Sequence, residues 1–473
     1  MSNSNQIRRI SRSNHSTQQP LLESNHRPRA LHTASIPSSV ANLANTIIGT
    51  GMLAMPSVIS STGLIPAVIL ILLSSFLSSF GLYLLHLSST QLGSKRSSSF
   101  NAVANITYPN AAIYFDIAIA LKCFGVAISY LLILGQLLPP LVTSFYHHLT
   151  PSHFDPPSAL LSRHFWISLF VVILSPLAHM RHLNSLRYTS YISIFSATYL
   201  LMIVVLCAIH SPIPLPPPGN ITWAKFDSSA ISKFPVLVFA FTCAQNFYPV
   251  KNELRSNSHG STCAVIAISI GIAAGLYQII GVLGYVTFGD KVNSNIMSMY
   301  PDTSILISFG RLAIAVLVLS SYPLQVHPCR NSLDKIISSA KTTKPEWQQR
   351  EGDEDEHRDD QVGDSDGEDA NDEFKIPPPP SPLRHSTLTV LILFFTWSIA
   401  MMVSQLDKVL AFVGSTGSTA ISFILPGLFY RALSRNDTDP SRRWLRIGSR
   451  LLIIYGFSVM FFCLAFNFYD MFT

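Results

Sequence analysis

Residues 41–56 read ANLANTIIGTGMLAMP. The stretch begins as a membrane helix, with Asn42 and Asn45 as its strongly polar residues, and then Gly49-Thr50-Gly51 interrupts it and Pro56 follows. In a helix interior each Gly costs about 1 kcal/mol relative to Ala, and Pro about 3 kcal/mol. Lipid makes an unsatisfied backbone group costlier still. A helix weakened at that depth implies a use for the freed N–H and C=O groups. Asn42, Asn45 and Gly49 stand at i, i+3 and i+7, on one helix face directed into a bundle.

The composition around this stretch is that of a membrane protein. Of 473 residues, 48% are hydrophobic and 12% charged, against about 25% charged in an average soluble domain. A span needs about 20 mainly apolar residues. Eleven segments qualify: 36–63, 66–90, 111–146, 164–180, 184–209, 230–254, 262–288, 303–334, 386–405, 407–432 and 447–471, the fourth being at the short limit. The reading is an all-α polytopic fold in four parts. A basic tail (1–34) precedes a first core block (35–337), and an acidic insert (338–385) separates it from a second core block (386–473). Tail and insert read as disordered cytosolic segments. Thirteen of the 26 Asp and Glu lie between 351 and 373, so the rest of the chain is formally +18.

With the N-terminus in the cytosol, 25 Lys and Arg fall on the cytosolic side and 5 opposite, the bias that sets orientation. Asn220 then heads a glycosylation sequon on the outer or lumenal side. Ser11 and Ser365 resemble kinase sites, with an unmodified tail as the equal alternative.

A second weakened span lies five spans after the first. Residues 239–254, FAFTCAQNFYPVKNEL, cluster Thr242, Gln245, Asn246 and Pro249 mid-span. Interrupted helices at corresponding places in two halves mark transporters built from inverted repeats, in which the breaks hold the substrate. Close packing is the alternative use of Gly and Pro in membrane helices. Span eight offers Ser320, Ser321, Tyr322 and Gln325, and span three Asp116, Lys122, Tyr130 and Gln136. Asp116 and Lys122 are functional candidates as intramembrane ionisable residues, with snorkelling as the alternative for Lys122 and snorkelling or pairing for Arg311. The histidines at 147, 148, 153 and 164 read as a solvated outer loop. No P-loop, HExxH or GxSxG is present, and the six scattered cysteines have no metal spacing, so the sequence indicates neither an enzyme, nor a cofactor, nor a metal centre.

Four motifs in order, NLANTIIGTGMLAMP (42–56), LKCFGVAISYLLILGQLLP (121–139), FAFTCAQNFYPVKNEL (239–254) and RLAIAVLVLSSYPLQVHPCRNSLD (311–334), resemble the amino acid/auxin permease family. The closest likeness is to fungal vacuolar amino acid transporters, relatives of the sodium-coupled neutral amino acid transporters. The resemblance implies a LeuT-like five-plus-five inverted repeat of eleven helices, broken in one and six. It also implies amino acid transport coupled to protons or, as the lesser alternative, sodium. On that reading Gly49, Thr50 and Gly51 give backbone contacts to the substrate carboxylate. Thr242, Cys243 and Gln245 contact the amino group and line the side-chain pocket, and Tyr130 forms a wall or gate. By likeness to the sodium-coupled relatives, Asn45 and Ser321 form the cation or polar site. Two departures stand out: Ala244 and Gln136 replace a His and an Asp common in the family, removing titratable groups from the expected core. The function implied is secondary active amino acid transport in the vacuolar membrane, from lumen to cytosol with a proton. A transceptor with weak transport and a plasma-membrane importer are the alternatives.

Overall fold

A computed structural model of the chain describes residues 34–91, 98–149, 157–180, 186–225, 228–341, 381–435, 437 and 439–472. Ser11, Ser365 and most of the expected tail and insert lie outside these residues.

The helices start where the sequence supplies caps. α1 (Ile36–Ile47) opens on Ser35, whose hydroxyl accepts from the Ser38 N–H, with a proline in its first turn, the preferred chemistry of a helix start. It stops at Ile47, and α2 (Gly51–Thr62) continues at an angle of 54°. Gly63, at φ +84°, ends α2 and turns the chain into α3 (Leu64–Gln91). A short helix that the spacing did not announce, α4 (Phe100–Thr107), is capped by Ser99 and leads to the long α5 (Ala112–Leu149). Then follow α6 (Ser158–Leu161), α7 (Arg163–His179) and α8 (Leu186–Ile209).

The second interrupted span is α9 (Ser228–Ala240) plus α10 (Ala244–Glu253). After it come α11 (His259–Phe288), α12 (Ile305–Lys341) and α13 (Pro382–Met402). Helices therefore reach a few residues into both ends of the expected 338–385 insert. α14 (Leu406–Val413) passes through two π-type turns, Gly414–Ser418 and Ala420–Ile424, into α15 (Leu425–Leu433), and α16 (Arg443–Phe472) closes the chain.

Among the described residues, nine helical segments are long and apolar enough to cross a bilayer, and the bent α1–α2 pair makes a tenth. α7, at 17 residues, is roughly 26 Å long, short of a hydrocarbon layer of about 30 Å. Its first residue, Arg163, donates to Ala400 O at 2.7 Å and Val403 O at 2.6 Å, satisfying carbonyls at the end of α13.

Close packing rests on small residues, as it does where lipid supplies no hydrophobic drive between helices. A Cβ at Gly125 would collide with the Val413 side chain, and one at Gly81 with Ser422 O. Large apolar side chains such as Phe76, Val172 and Phe461 point outward, the surface a bilayer requires.

Two ties fix the relative direction of the broken spans. Ala34 N–H donates to Glu253 O and Arg255 N–H to Ala34 O, joining the start of α1 to the end of α10. Lys225 N–H donates to Thr62 O, joining the end of α2 to the segment before α9. The two spans therefore run antiparallel. Arg311 does not snorkel: it is fully buried and pairs with Asp302 at 2.7 Å while donating to Tyr300 O.

Candidate functional site

Between α1 and α2 the chain leaves the helix at Ile48, Gly49 and Thr50. Met52 and Leu53 N–H reach back only to Gly49 O and Thr50 O, and the N–H groups of Gly49, Thr50 and Gly51 meet no acceptor among the described residues. The second break behaves alike. Phe241, Thr242 and Cys243 are non-helical, Asn246 N–H donates to Cys243 O at 3.0 Å, and the N–H groups of Cys243, Ala244 and Gln245 meet no acceptor among the described residues. Each break thus presents three free donors at the N-terminal, partially positive end of a half-helix.

The two breaks touch. A Cβ on Gly51 would lie 2.7 Å from that of Ala240, so only glycine allows this approach. The Tyr277 hydroxyl on α11 lies 2.6 Å from Ile47 O and 3.1 Å from Ala240 O, the last carbonyls of the two first half-helices. One residue therefore holds both negative helix ends together. The Asn246 amide donates to Thr46 Oγ1 at 2.9 Å, a second link between the broken spans.

α5 and α12 supply the facing wall. The Tyr130 hydroxyl sits 3.8 Å from where a Cβ of Gly49 would be, beside Ser321 and Gln325. Thr50 Oγ1 and Ser129 Oγ are 3.4 Å apart. Two amides here have polar atoms buried without a protein partner among the described residues: Gln245, at both Oε1 and Nε2, and Gln325, at Oε1. Such orphaned groups are rare in native interiors and ask for a ligand or another explanation. Lys122, 3% exposed, lies on α5 within electrostatic reach of Cys243 and forms no ion pair among the described residues. It is not snorkelling to solvent.

The other sequence-selected residues have mixed places. Thr242 is buried, but its hydroxyl already donates to Val238 O at 2.6 Å and accepts from Ser422 at 3.2 Å. Cys243 and Ala244 are buried at the second break. Asn45 is half-buried one turn before Gly49. Gln136, expected in the core, instead lies in a vestibule, donating to Ser404 O at 3.2 Å and accepting from Asn295 at 3.0 Å. That vestibule is a cavity of about 490 Å³. At it, Lys233 donates to Ser57 at 2.7 Å and lies 3.9 Å from Asp407. Asp116 is away from the breaks, accepting from Asn101 at 3.4 Å. Asn220 is exposed, with its backbone held by Asp290. Sequence reading missed Tyr277, since a tyrosine inside an unbroken apolar helix reads as core.

The sequence profile of the family described as "Transmembrane amino acid transporter protein" matches residues 32–468. "Vacuolar amino acid transporter 5" of Schizosaccharomyces pombe is 39% identical over 438 residues, which cover 91% of this chain and 93% of the relative. "Vacuolar amino acid transporter 6" of Saccharomyces cerevisiae is 34% identical over 454 residues, covering 91% and 98%. With two touching helix breaks in a polytopic all-α bundle, and with this similarity over nearly its full length, the chain belongs to the transmembrane amino acid transporter family.

Proposed function

We propose that the chain is a secondary active transporter that carries amino acids across the vacuolar membrane, binding them where its two broken helices meet. The observation that carries this reading is the meeting itself: Gly51 against Ala240, both helix ends on Tyr277, and free N–H donors on either side. An amino acid is a zwitterion, and the site has one feature for each charge. The N-terminal ends of α2 and α10 suit the carboxylate. The carbonyl ends of α1 and α9 suit the ammonium. Gly49, Thr50 and Gly51 are assigned to the carboxylate. Cys243 and Gln245 line the side-chain pocket, and Tyr130 forms its wall. Thr242, with its hydroxyl engaged, acts through its backbone. Asn45 and Ser321 form the cation or polar site.

The antiparallel course of the two broken spans supports a five-plus-five inverted repeat of LeuT type. The names of the relatives support the vacuole and the substrate class. The basic bias of the loops supports a cytosolic N-terminus, with Asn220 in the lumen as a glycosylation candidate. In that orientation an acidic lumen drives proton and amino acid together to the cytosol. Ala244 leaves no imidazole at the second break, so a proton has to use another group, and we assign that role to Lys122, buried within electrostatic reach of Cys243.

The test is efflux of labelled amino acid from preloaded vacuolar vesicles, with the proton gradient intact and then collapsed. Efflux that slows on collapse is the expected result. Uptake driven by the gradient would overturn the direction, and efflux indifferent to it would overturn the coupling.

A further inference from the structure

At the end of the bundle where α3 finishes and α11 begins, three metal-ligating side chains converge away from the substrate site. His86, on α3, is buried, while His259 and Cys263, one turn apart at the start of α11, are reachable from solvent. His86 Nε2 and His259 Nδ1 are 3.0 Å apart, and Cys263 Sγ is 3.7 Å from His259 Nε2. One ligand atom from each of the three lies within 4.8 Å of the others. We propose that His86, His259 and Cys263 form a zinc(II) site that pins the end of α3 to the start of α11.

The chemistry favours this ion. Two imidazoles and a thiolate make a borderline-soft set, suited to zinc and not to magnesium or calcium. Tetrahedral zinc, with bonds of about 2.0–2.1 Å to nitrogen and 2.3 Å to sulfur, separates its ligand atoms by about 3.3–3.6 Å. The two short spacings are to different nitrogens of His259; with one ligand atom from each residue the set lies within 4.8 Å, and rotation of the His259 and Cys263 side chains brings it to that spacing. His259 and Cys263 stand at i and i+4, one helix face, which lets both chelate one ion. The buried His86 Nδ1 has no hydrogen-bond partner among the described residues, so the ring makes its polar contact through Nε2. Exposure of His259 and Cys263 gives the ion access, and a water molecule completes the fourth position. Lys251, on α10, lies close to His86 and donates to Ser89. Its ammonium opposes a dication, so the affinity expected is micromolar and weaker than in closed four-ligand sites. The sequence does not reveal the cluster because the third ligand comes from a different helix, 173 positions before His259.

The test uses the full-length protein, purified in detergent without a histidine tag and stripped with a chelator. Zinc chloride binding is measured by equilibrium dialysis with elemental analysis, and cobalt(II) chloride serves as the spectroscopic probe. The other five cysteines are buried, so a thiolate-to-cobalt charge-transfer band reports Cys263. The expected result is about one equivalent of zinc, with a cobalt–thiolate band. Cys263→Ser should abolish the band, and Cys263→Ser and His259→Ala should each weaken zinc binding at least tenfold. Both positions are accessible, and unchanged amino acid transport with monodisperse elution checks that the variants fold. Less than a fifth of an equivalent bound by the wild type would overturn the proposal. Binding that survives both substitutions would do the same.

Discussion

Gln245 carries the sharpest residue-level consequence of this structure. Its amide is 8% exposed, with both polar atoms lacking a protein partner among the described residues. A buried unsatisfied polar group costs about 1–3 kcal/mol. Gln245→Leu should therefore leave the melting temperature in detergent unchanged or raise it, while amino acid flux falls more than tenfold. A purely structural glutamine would give the opposite pattern, loss of stability with flux per folded molecule retained. Tyr277 differs because its hydroxyl serves two carbonyls. The phenol has one proton, so the two carbonyls share one three-centre hydrogen bond; at a net of about 0.5–1.5 kcal/mol for a hydrogen bond, Tyr277→Phe should lower stability by roughly that amount and also reduce flux. A thermal-shift assay run beside transport separates the two residues. A Tyr277→Phe protein as stable as wild type would contradict the bridging role.

At the scale of elements, the two breaks account for the architecture of the site. Their positions were legible in the sequence, since Gly49-Thr50-Gly51 and the polar cluster from Thr242 to Asn246 interrupt otherwise apolar runs. Their mutual contact was not legible, because it depends on Tyr277 of α11 reaching both and on Ala240, a residue with no signature of its own. Gln136 was misjudged for a related reason. Sequence gives its place along α5, nearly two turns beyond Tyr130, but not that its amide bonds to the α13–α14 connection. Likewise, α4 went unseen because eight residues carry too little periodicity to stand out. The contact of the breaks gives a direct test. A methyl at Gly51 would lie 2.7 Å from Ala240 Cβ and 3.0 Å from its Cα, overpacking of a kind that costs about 1–3 kcal/mol. Gly51→Ala should fold less stably and lose flux, and Gly51→Ala with Ala240→Gly should recover part of both. No recovery in the double variant would mean that the two breaks do not meet in the working protein.

For the molecule as a whole, orientation ties the site to its task. The bias of the loop charges supports the proposal that the insert after α12 lies on the cytosolic side together with the N-terminus. Protease added to sealed vacuoles should then digest an epitope placed between residues 342 and 380, and one that survives until detergent is added would reverse the assignment. The proposed carriage of amino acids at the meeting point of the two breaks does not depend on the coupling ion. Counterflow tests it most directly: liposomes containing the protein are preloaded with unlabelled amino acid, and entry of trace labelled amino acid is followed without any ion gradient. Transient accumulation is expected with the wild type, none in protein-free liposomes, and loss of more than nine-tenths of it with Gln245→Leu. No counterflow with any common amino acid, or equal counterflow in wild type and Gln245→Leu, would contradict it.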